Sequence, residues 1–480
     1  MKAKKNALSF LLPFFSIFSI FFIYLKTLSS NFNFDGVVYA LFLRNSIIIK
    51  SPLGFLHYQH LLYQPISYFF YKTMKTNLDP LIFLEFESLF FSILSLIFFY
   101  LTIKKITKDL FFSSISTLFL GFSHIFWYYS VEAEVHSLSF FLIAFSLYII
   151  SIKEDSSISS FFAGLPILSH VLNTFYLISY GLLKIIKKEK ELLKQFFILI
   201  SIPTISYLIL LFYLKSKGNL ASFFSKRSAA SLSLPSLKAF FQNIESFGKF
   251  FSLGLISYLF AFLFWVFILY ILIKKRKDTF DFILLYWLLL AFLFHLFWEP
   301  FNPELKSPIL ILFLLVFLKE IHKIKKWKYL IISLLTILLF SLNFGFFKSN
   351  ADANKNINYK IAIQIKNCTP KNSIIIIGGT KKGYIFGKAY IPYFSLRKVL
   401  SLDTYGKKIG ERDVKIILEK IKIFQEKKKV YILNDYINNK VSRELFSNKY
   451  SYEFFKKELS SHLKFICNIG SYKLYSIKPH

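Results

Sequence analysis

Apolar residues fall in ten runs, at roughly 7–28, 81–103, 110–130, 135–152, 158–186, 195–214, 250–273, 280–298, 307–318 and 328–347. Most lack the polar alternation of a half-buried strand or a surface helix. Runs of about 18 or more apolar residues are long enough to cross a bilayer. The pattern predicts a polytopic α-helical membrane protein of about 10–11 membrane segments. The first run, Leu8 to Leu25, follows Lys2, Lys4 and Lys5, as a signal peptide would. It carries no small-residue cleavage site and many runs follow it, so it reads as a retained first helix.

The connections alternate in character. "KKITKD" (Lys104–Asp109), "IKKEKELLK" (Ile186–Lys194), "KKRKD" (Lys274–Asp278) and "KEIHKIKKWK" (Lys319–Lys328) are short and basic, which places them in the cytoplasm with the N-terminus. The first loop 29–80, the Tyr128–Glu134 corner, the stretch 215–249 and "WEPFNPELK" (Trp298–Lys306) are less densely basic and fall outside. The run 158–186 has a cytoplasmic-looking flank at each end, so it reads as a hairpin of two short helices, with Gly164, Pro166 and His170 near the bend. This parity puts Asp35, His57, His60, Glu132, Glu134, His136, His170 and the Trp298–Lys306 loop on one external side.

The pattern changes near residue 348. "SIIIIGG" (Ser373–Gly379) and "VYILND" (Val430–Asp435) read as buried strands, and "VKIILEKIKIFQEKKK" (Val414–Lys429) has helical apolar spacing. A transmembrane domain over 1–347 and a small extracytoplasmic α/β domain over 348–480 are expected. "GGTKKG" fits neither a Walker nor a Rossmann glycine spacing, so no nucleotide is assigned to it.

Composition agrees with a membrane protein: 55% of the 480 residues are hydrophobic and 20% aromatic. The net charge of +33 sits mostly in short clusters between apolar runs, as membrane topology requires, and nucleic acid is not the partner it implies. The richness in Phe, Ile, Lys and Asn suggests an AT-rich bacterial genome, hence a bacterial inner (plasma) membrane. Cys368 and Cys467 form one disulfide if their region is exported, and are otherwise free thiols.

Several polar residues interrupt this apolar chain, and an ionisable group at membrane depth usually has a function. Asp35, in "NFNFDGVVYA", is either a helix N-cap or a general base at the membrane surface. His57 and His60, three apart, share one helical face. They are donors to a phosphate, metal ligands, or members of an interfacial aromatic belt. Glu132 suits a solvated turn. Glu134 precedes an apolar helix, so it faces inward to orient a basic group or hold a divalent cation, or it caps that helix. A Glu/His metal site needs at least three ligands, and sequence does not show that Asp35, Glu134 and His136 meet. His170 is a structural imidazole or a substrate contact. In the Trp298–Lys306 loop, Trp298, Glu299 and Asn302 sit among prolines, and Lys306 is a phosphate-binding point charge or an ordinary snorkelling lysine.

These residues together resemble a family. An aspartate in the first large external loop of a polytopic chain looks like the GT-C glycosyltransferases. "FWYYSVEAEVHSLSFFLIAFSL" is similar to the Phe-Trp … Ala-Glu-Val-Tyr … Leu segment of their transmembrane protein O-mannosyltransferase-like branch, with His136 in place of the usual tyrosine. "GLPILSH", "HYQHLLYQP" and "FWEPFNPELK" resemble further segments of that branch in the same order, so the likeness covers about 30–310. It implies transfer of a sugar, with inversion, from a polyprenyl-phosphate-linked donor to an extracytoplasmic protein, glycan or lipid acceptor. Asp35 matches the family's catalytic aspartate. His57, His60, His170 and Lys306 become candidates for the phosphate, Glu134 an organising carboxylate beside His136, and Trp127 and Trp298 stacking surfaces for sugar or lipid. Membrane lipids are implied partners; a divalent cation is an open option. Two other readings stand beside this one. A flippase or transporter of lipid-linked sugars predicts ionisable residues deep in several helices, whereas Glu85 and Glu87 lie near one helix end. A non-catalytic membrane assembly protein predicts that Asp35→Asn leaves function intact.

Overall fold

A computed structural model describes residues 2–49, 59–154, 156–187, 191–216, 235–275, 277–380, 383–403, 408–437 and 439–478. The chain divides into two compact units. One comprises Met1–Ser29 and Asn45–Ala351, the other Ser30–Arg44 and Asp352–His480. The second unit therefore includes part of the first loop as well as the C-terminal region.

Among the described residues of the first unit, five helices are long and apolar enough to cross a membrane: Pro80–Thr107, Leu192–Tyr213, Ile256–Ile273, Thr279–Phe297 and Lys328–Asn350. Leu110–Gly121 and His124–Val131 would add a sixth span, bent by 69°. Other apolar runs are shorter helices, among them His136–Ile152 and the almost wholly buried Ile309–His322. The starts follow local chemistry. Asp79 accepts from the amide of Leu81 ahead of Pro80, and Asp109 accepts from that of Phe112. Asp278 forms a capping box with Asp281. At the bend, the amides of His124 and Ile125 reach the carbonyls of Phe251 and Phe250, so the break leaves them paired.

The run 158–186 is a hairpin. Its first arm is Ser157–Gly164 and Pro166–Ser169, its second Thr174–Ile186. Tyr180 Oη donates to Ser159 Oγ at 3.1 Å, and Lys184 Nζ reaches the Glu154 carbonyl at 2.8 Å, so both arms return to the same end. Gly164 lies against the neighbouring helix, where a Cβ would come within 2.6 Å of the Leu199 carbonyl oxygen. The stretch 215–249 is not simply a loop. Residues 217–234 lie outside the described residues, but Leu237–Gly248 is an amphipathic helix capped by Ser236. Gly248 allows that helix to meet Ser257, whose carbonyl oxygen would stand 1.9 Å from a Cβ.

The second unit holds a five-stranded sheet in the order β2-β1-β3-β5-β4. The strands are β1 (Ile374–Ile377), β2 (Lys398–Ser401), β3 (Val430–Leu433), β4 (Leu463–Ile469) and β5 (Tyr472–Ile477). β1 pairs parallel with β2 and β3, while β5 pairs antiparallel with β3 and β4. All four isoleucines of β1 are buried, because helices cover both faces. Ile376 packs with Val414, Ile421 and Phe455, whereas Ile375 and Ile377 pack with Ile361 and Ile365. A Cys368–Cys467 disulfide, closing a sequence separation of 99, ties the Ile357–Cys368 helix to β4. Segment 30–44 joins this unit through Asn356 Nδ2 donating to the Ser30 carbonyl at 3.0 Å, and through Arg44, which donates to the Tyr393 carbonyl at 3.1 Å. After β1, the amides of Gly378, Gly379 and Tyr384 all donate to the Asp435 carboxylate, at 2.8, 3.1 and 3.3 Å. An internal carboxylate thus takes up these amides.

Candidate functional site

The site grows from the break between the His124–Val131 and His136–Ile152 helices. Glu132 and Glu134 sit in that break, 2% and 1% exposed. Glu132 is therefore not a solvated turn: Ser29 Oγ donates to its carboxylate at 2.6 Å. Glu134 is held by its backbone, which exchanges contacts with Ser88 Oγ at 3.3 Å, and its own carboxylate accepts from the Val135 amide at 3.1 Å. His136 opens the next helix, so its ring is aimed by the helix start. Its Nε2 lies 3.2 Å from Glu304 Oε1, its Nδ1 lies 3.4 Å from Ser307 Oγ, and its ring centre lies 4.5 Å from that of Tyr129.

Glu304 comes from the Trp298–Lys306 loop. Glu299 has the left-handed φ of +46° and accepts from Asn302 Nδ2 at 3.1 Å, while Asn302 Oδ1 accepts from the Glu304 amide at 3.0 Å. Glu299 and Asn302 thus shape the turn, and Glu304 points to His136. Trp298 caps the Thr279–Phe297 helix, and its carbonyl lies 2.9 Å from His295 Nδ1. Lys306 is 1% exposed, not a snorkelling side chain. Its Nζ donates to Ser246 Oγ at 2.6 Å and to the Pro300 carbonyl at 2.8 Å, bracing the loop. Burial, aided by the nearby Lys249 charge, pushes its pKa down to about 6. Burial alone would raise the Glu304 carboxyl, but the hydrogen bond and charge of His136 hold it below its ordinary value.

Two more imidazoles continue from His136. The His170 ring lies 5.3 Å from that of His136, and the His60 ring 4.9 Å from that of His170. A short backbone pairing sets this register: the Leu62 amide donates to the Leu168 carbonyl at 3.0 Å, and the Val171 amide to that of Gln59 at 3.0 Å. His170 has extended backbone at the hairpin tip, and its Nδ1 accepts from the Leu172 amide at 3.1 Å. A neutral ring there carries its proton on Nε2. His60 Nδ1 lies 3.2 Å from the Ser169 carbonyl, an acceptor, so its Nδ1 is the protonated atom. The result is a row of three imidazoles, His60–His170–His136, that ends on Glu304.

Glu134, His136 and Glu304 each offer a ligand atom, and these atoms lie within 4.8 Å of one another. Two carboxylates and one imidazole suit a borderline or hard divalent cation, with further positions left for water or substrate. Asp35 stands elsewhere in the chain's organisation. It is the second residue of the Phe34–Ile49 helix, within the second unit. Asn33 Oδ1 accepts from the Asp35 amide at 3.3 Å, so Asn33 takes the capping place and Asp35 is the acidic residue of the first turn. His57 lies outside the described residues. Trp127 is not a stacking surface for substrate: it is fully buried, donates to Thr27 Oγ1 at 3.0 Å and stacks on Phe347 at 4.5 Å.

Sequence reasoning did not single out Glu304 or Tyr129. The loop holds two glutamates, and only its turn geometry decides which one faces His136. The signal available was the pairing of Pro303 and Glu304 just ahead of the Ile309–His322 helix.

No family model and no curated protein matches the sequence. The fold, a helical unit and a smaller unit built on a sheet, is shared with solved structures. It is similar to the crystal structure of ArnT from Cupriavidus metallidurans in the apo state, with a TM-score of 0.60 and 10% identity over 99% of this chain and 98% of that one. The same protein bound to undecaprenyl phosphate aligns with a TM-score of 0.57 and 9% identity, over 96% of this chain and 97% of that one. The apo Archaeoglobus fulgidus oligosaccharyltransferase aligns with a TM-score of 0.50 and 10% identity, over 88% of this chain and 69% of that one. At these identities the likeness establishes the fold.

Proposed function

We propose that this protein is a membrane glycosyltransferase that moves a sugar from a polyprenyl-phosphate-linked donor to an extracytoplasmic acceptor, with inversion. The single observation that carries this reading is the buried imidazole row His60–His170–His136 with Glu304 at its end. A departing lipid phosphate needs hydrogen-bond donors and positive charge, and imidazoles held in fixed register supply both. The GT-C fold supports it, as does the similarity to an ArnT that binds undecaprenyl phosphate. The segment likeness to the O-mannosyltransferase-like branch narrows the acceptor chemistry to hydroxyls.

The reaction balances simply. An acceptor oxygen bonds to the anomeric carbon, the bond from that carbon to the phosphate oxygen breaks, and the lipid phosphate leaves with the electron pair. The acceptor's proton goes to Asp35, the base assigned by resemblance. His170 donates to the leaving phosphate through Nε2, and His60, whose Nδ1 proton is held by the Ser169 carbonyl, does so through Nε2 as the imidazolium; His57 joins them in this reading. Glu134, His136 and Glu304 would hold a divalent cation, which would supply charge to the phosphate. Lys306, Glu299 and Asn302 hold the loop that presents Glu304, with Trp298 at its base. The basic links face the cytoplasm and the C-terminal unit faces outward, where a Cys368–Cys467 disulfide is stable.

The test is transfer from radiolabelled polyprenyl-phosphate sugars in membranes carrying wild type, Asp35→Asn or His170→Ala at equal expression. Asp35→Asn is expected to lose at least about a hundredfold in rate. Unchanged transfer in Asp35→Asn would remove the base. No transfer from any donor, with lipid-linked sugar still crossing the bilayer, would replace the enzyme with a flippase.

A further inference from the structure

The helices Ile256–Ile273 and Thr279–Phe297 form a hairpin through the basic link 274–278. Their packing is uneven along its length. Far from the link, the Trp265 and Phe292 rings meet edge to face at 5.3 Å. The Leu237–Gly248 helix lies over that contact, with Phe240 5.6 Å from Phe292 and the Ile244 carbonyl accepting from Trp265 Nε1 at 3.5 Å. Toward the link the two helices leave a crevice of about 820 Å³ between them. Its walls are apolar, from Leu272 on one helix to Phe282, Leu285 and Leu289 on the other, and Lys275 and Lys277 stand at its open end.

The dimensions carry meaning. Trp265 lies eight residues before the helix end at Ile273, about 12 Å along the helix, and Lys275 follows two residues further on, so the crevice runs about 15 Å. That is about half of a ~30 Å hydrocarbon core, the depth of a single leaflet. The crevice is thus closed near the bilayer midplane, lined with hydrocarbon, and edged with ammonium groups at headgroup level. An isoprenoid donor on the other side of the membrane would have its phosphate at the wrong end.

We propose that this crevice is a binding site for an anionic phospholipid of the leaflet beside the 274–278 link. One acyl chain lies between the two helices and the phosphate meets Lys275 and Lys277. This site is separate from the imidazole row, which adjoins the opposite end of the Thr279–Phe297 helix.

Native mass spectrometry of the purified full chain, offered equimolar phosphatidylglycerol and phosphatidylethanolamine, tests the proposal. Wild type is expected to retain phosphatidylglycerol in preference. Each lysine contributes about fivefold, so Lys275→Gln with Lys277→Gln should cost about 25-fold and bring the two lipids to parity. Lys105→Gln, in another basic link, should leave the preference unchanged. Leu289→Trp, which fills the crevice, should remove the retained lipid while the Lys variants still report on a folded protein. Equal retention of both lipids by wild type, or full preference in the double lysine variant, would overturn the proposal. So would displacement of phosphatidylglycerol by undecaprenyl phosphate at equal concentration, which would give the crevice to the donor lipid instead.

Discussion

The Thr279–Phe297 helix joins two ends of the helical unit that treat charge in opposite ways. At its N-terminal end, carboxylates meet lysines. Asp281, fully buried, lies 2.6 Å from Lys274 Nζ and 2.7 Å from Lys319 Nζ, and Glu320 lies 2.9 Å from Lys274. Nearby, Asp109 accepts from Lys328 Nζ and Tyr329 Oη, each at 2.6 Å. At the other end, Glu132 meets a hydroxyl, Glu134 a backbone amide, and Glu304 an imidazole. Paired ions are satisfied and serve the fold. Imidazoles and carboxylates in mutual reach retain capacity for protons, phosphate or a cation. So buried charge alone does not mark a site; the kind of partner does.

The comparison can be broken, beginning with its largest expected effect. Asp281→Asn takes one of two carboxylate partners from Lys274 and from Lys319, which keep Glu320 and Asp278, and should cost about 1.5–3 kcal/mol in unfolding free energy. Denaturant titration in detergent measures it, with transfer per folded molecule expected to hold. If transfer falls while stability does not, the two ends have been assigned the wrong way round.

His136→Ala should do the reverse, lowering transfer by roughly tenfold to a hundredfold with a smaller loss of stability. A pure loss of stability would make the imidazole row structural. Glu304→Gln refines this. If the cluster holds a cation, EDTA should lower wild-type transfer toward the level of Glu304→Gln and leave that variant little changed. Equal proportional losses in both would place the cation elsewhere.

The smallest effect lies in pH. Burial would raise the Asp109 carboxyl, but hydrogen bonds from Lys328, Tyr329 and the Phe112 amide pull it down to about 2. Its folded pKa is thus below its ordinary 3.8. Its contribution is complete above 3.8 and is lost as pH falls through about 2. Asp109→Asn should therefore be less stable than wild type at neutral pH, by about 1–3 kcal/mol, and the difference should shrink in that acid window. A constant difference down to pH 2 would show that the Asp109 charge is not what stabilises the fold, since asparagine caps a helix as well as aspartate does.

Periodicity made some of this legible before any coordinates. The Ser373–Gly379 and Val430–Asp435 stretches hold β1 and β3, and Val414–Lys429 overlaps the Glu411–Lys427 helix. The hairpin at 158–186 was readable because two basic flanks on so short a run leave the chain little choice. Other features were not. Apolar length did not reveal that segment 30–44 belongs with the C-terminal unit, since helix composition does not say what a helix docks against. Lys306 looked like a surface lysine because a lysine beside prolines reads the same whether it snorkels or braces a turn.

The sequence by itself determined a polytopic helical membrane protein, an α/β region after it, and which polar residues interrupt the apolar runs. Those follow from local physics: the length needed to cross hydrocarbon, the period of buried faces, and the cost of charge at depth. Only the tertiary structure decided which of those residues meet. His60, His136, His170 and Glu304 lie in four separate segments, and the pairing of residues 59–62 with 168–171 brings two of them together. It also chose Glu304 over Glu299, because a single left-handed residue sets which carboxylate turns inward. Such choices depend on contacts between distant segments, and local patterning does not encode them.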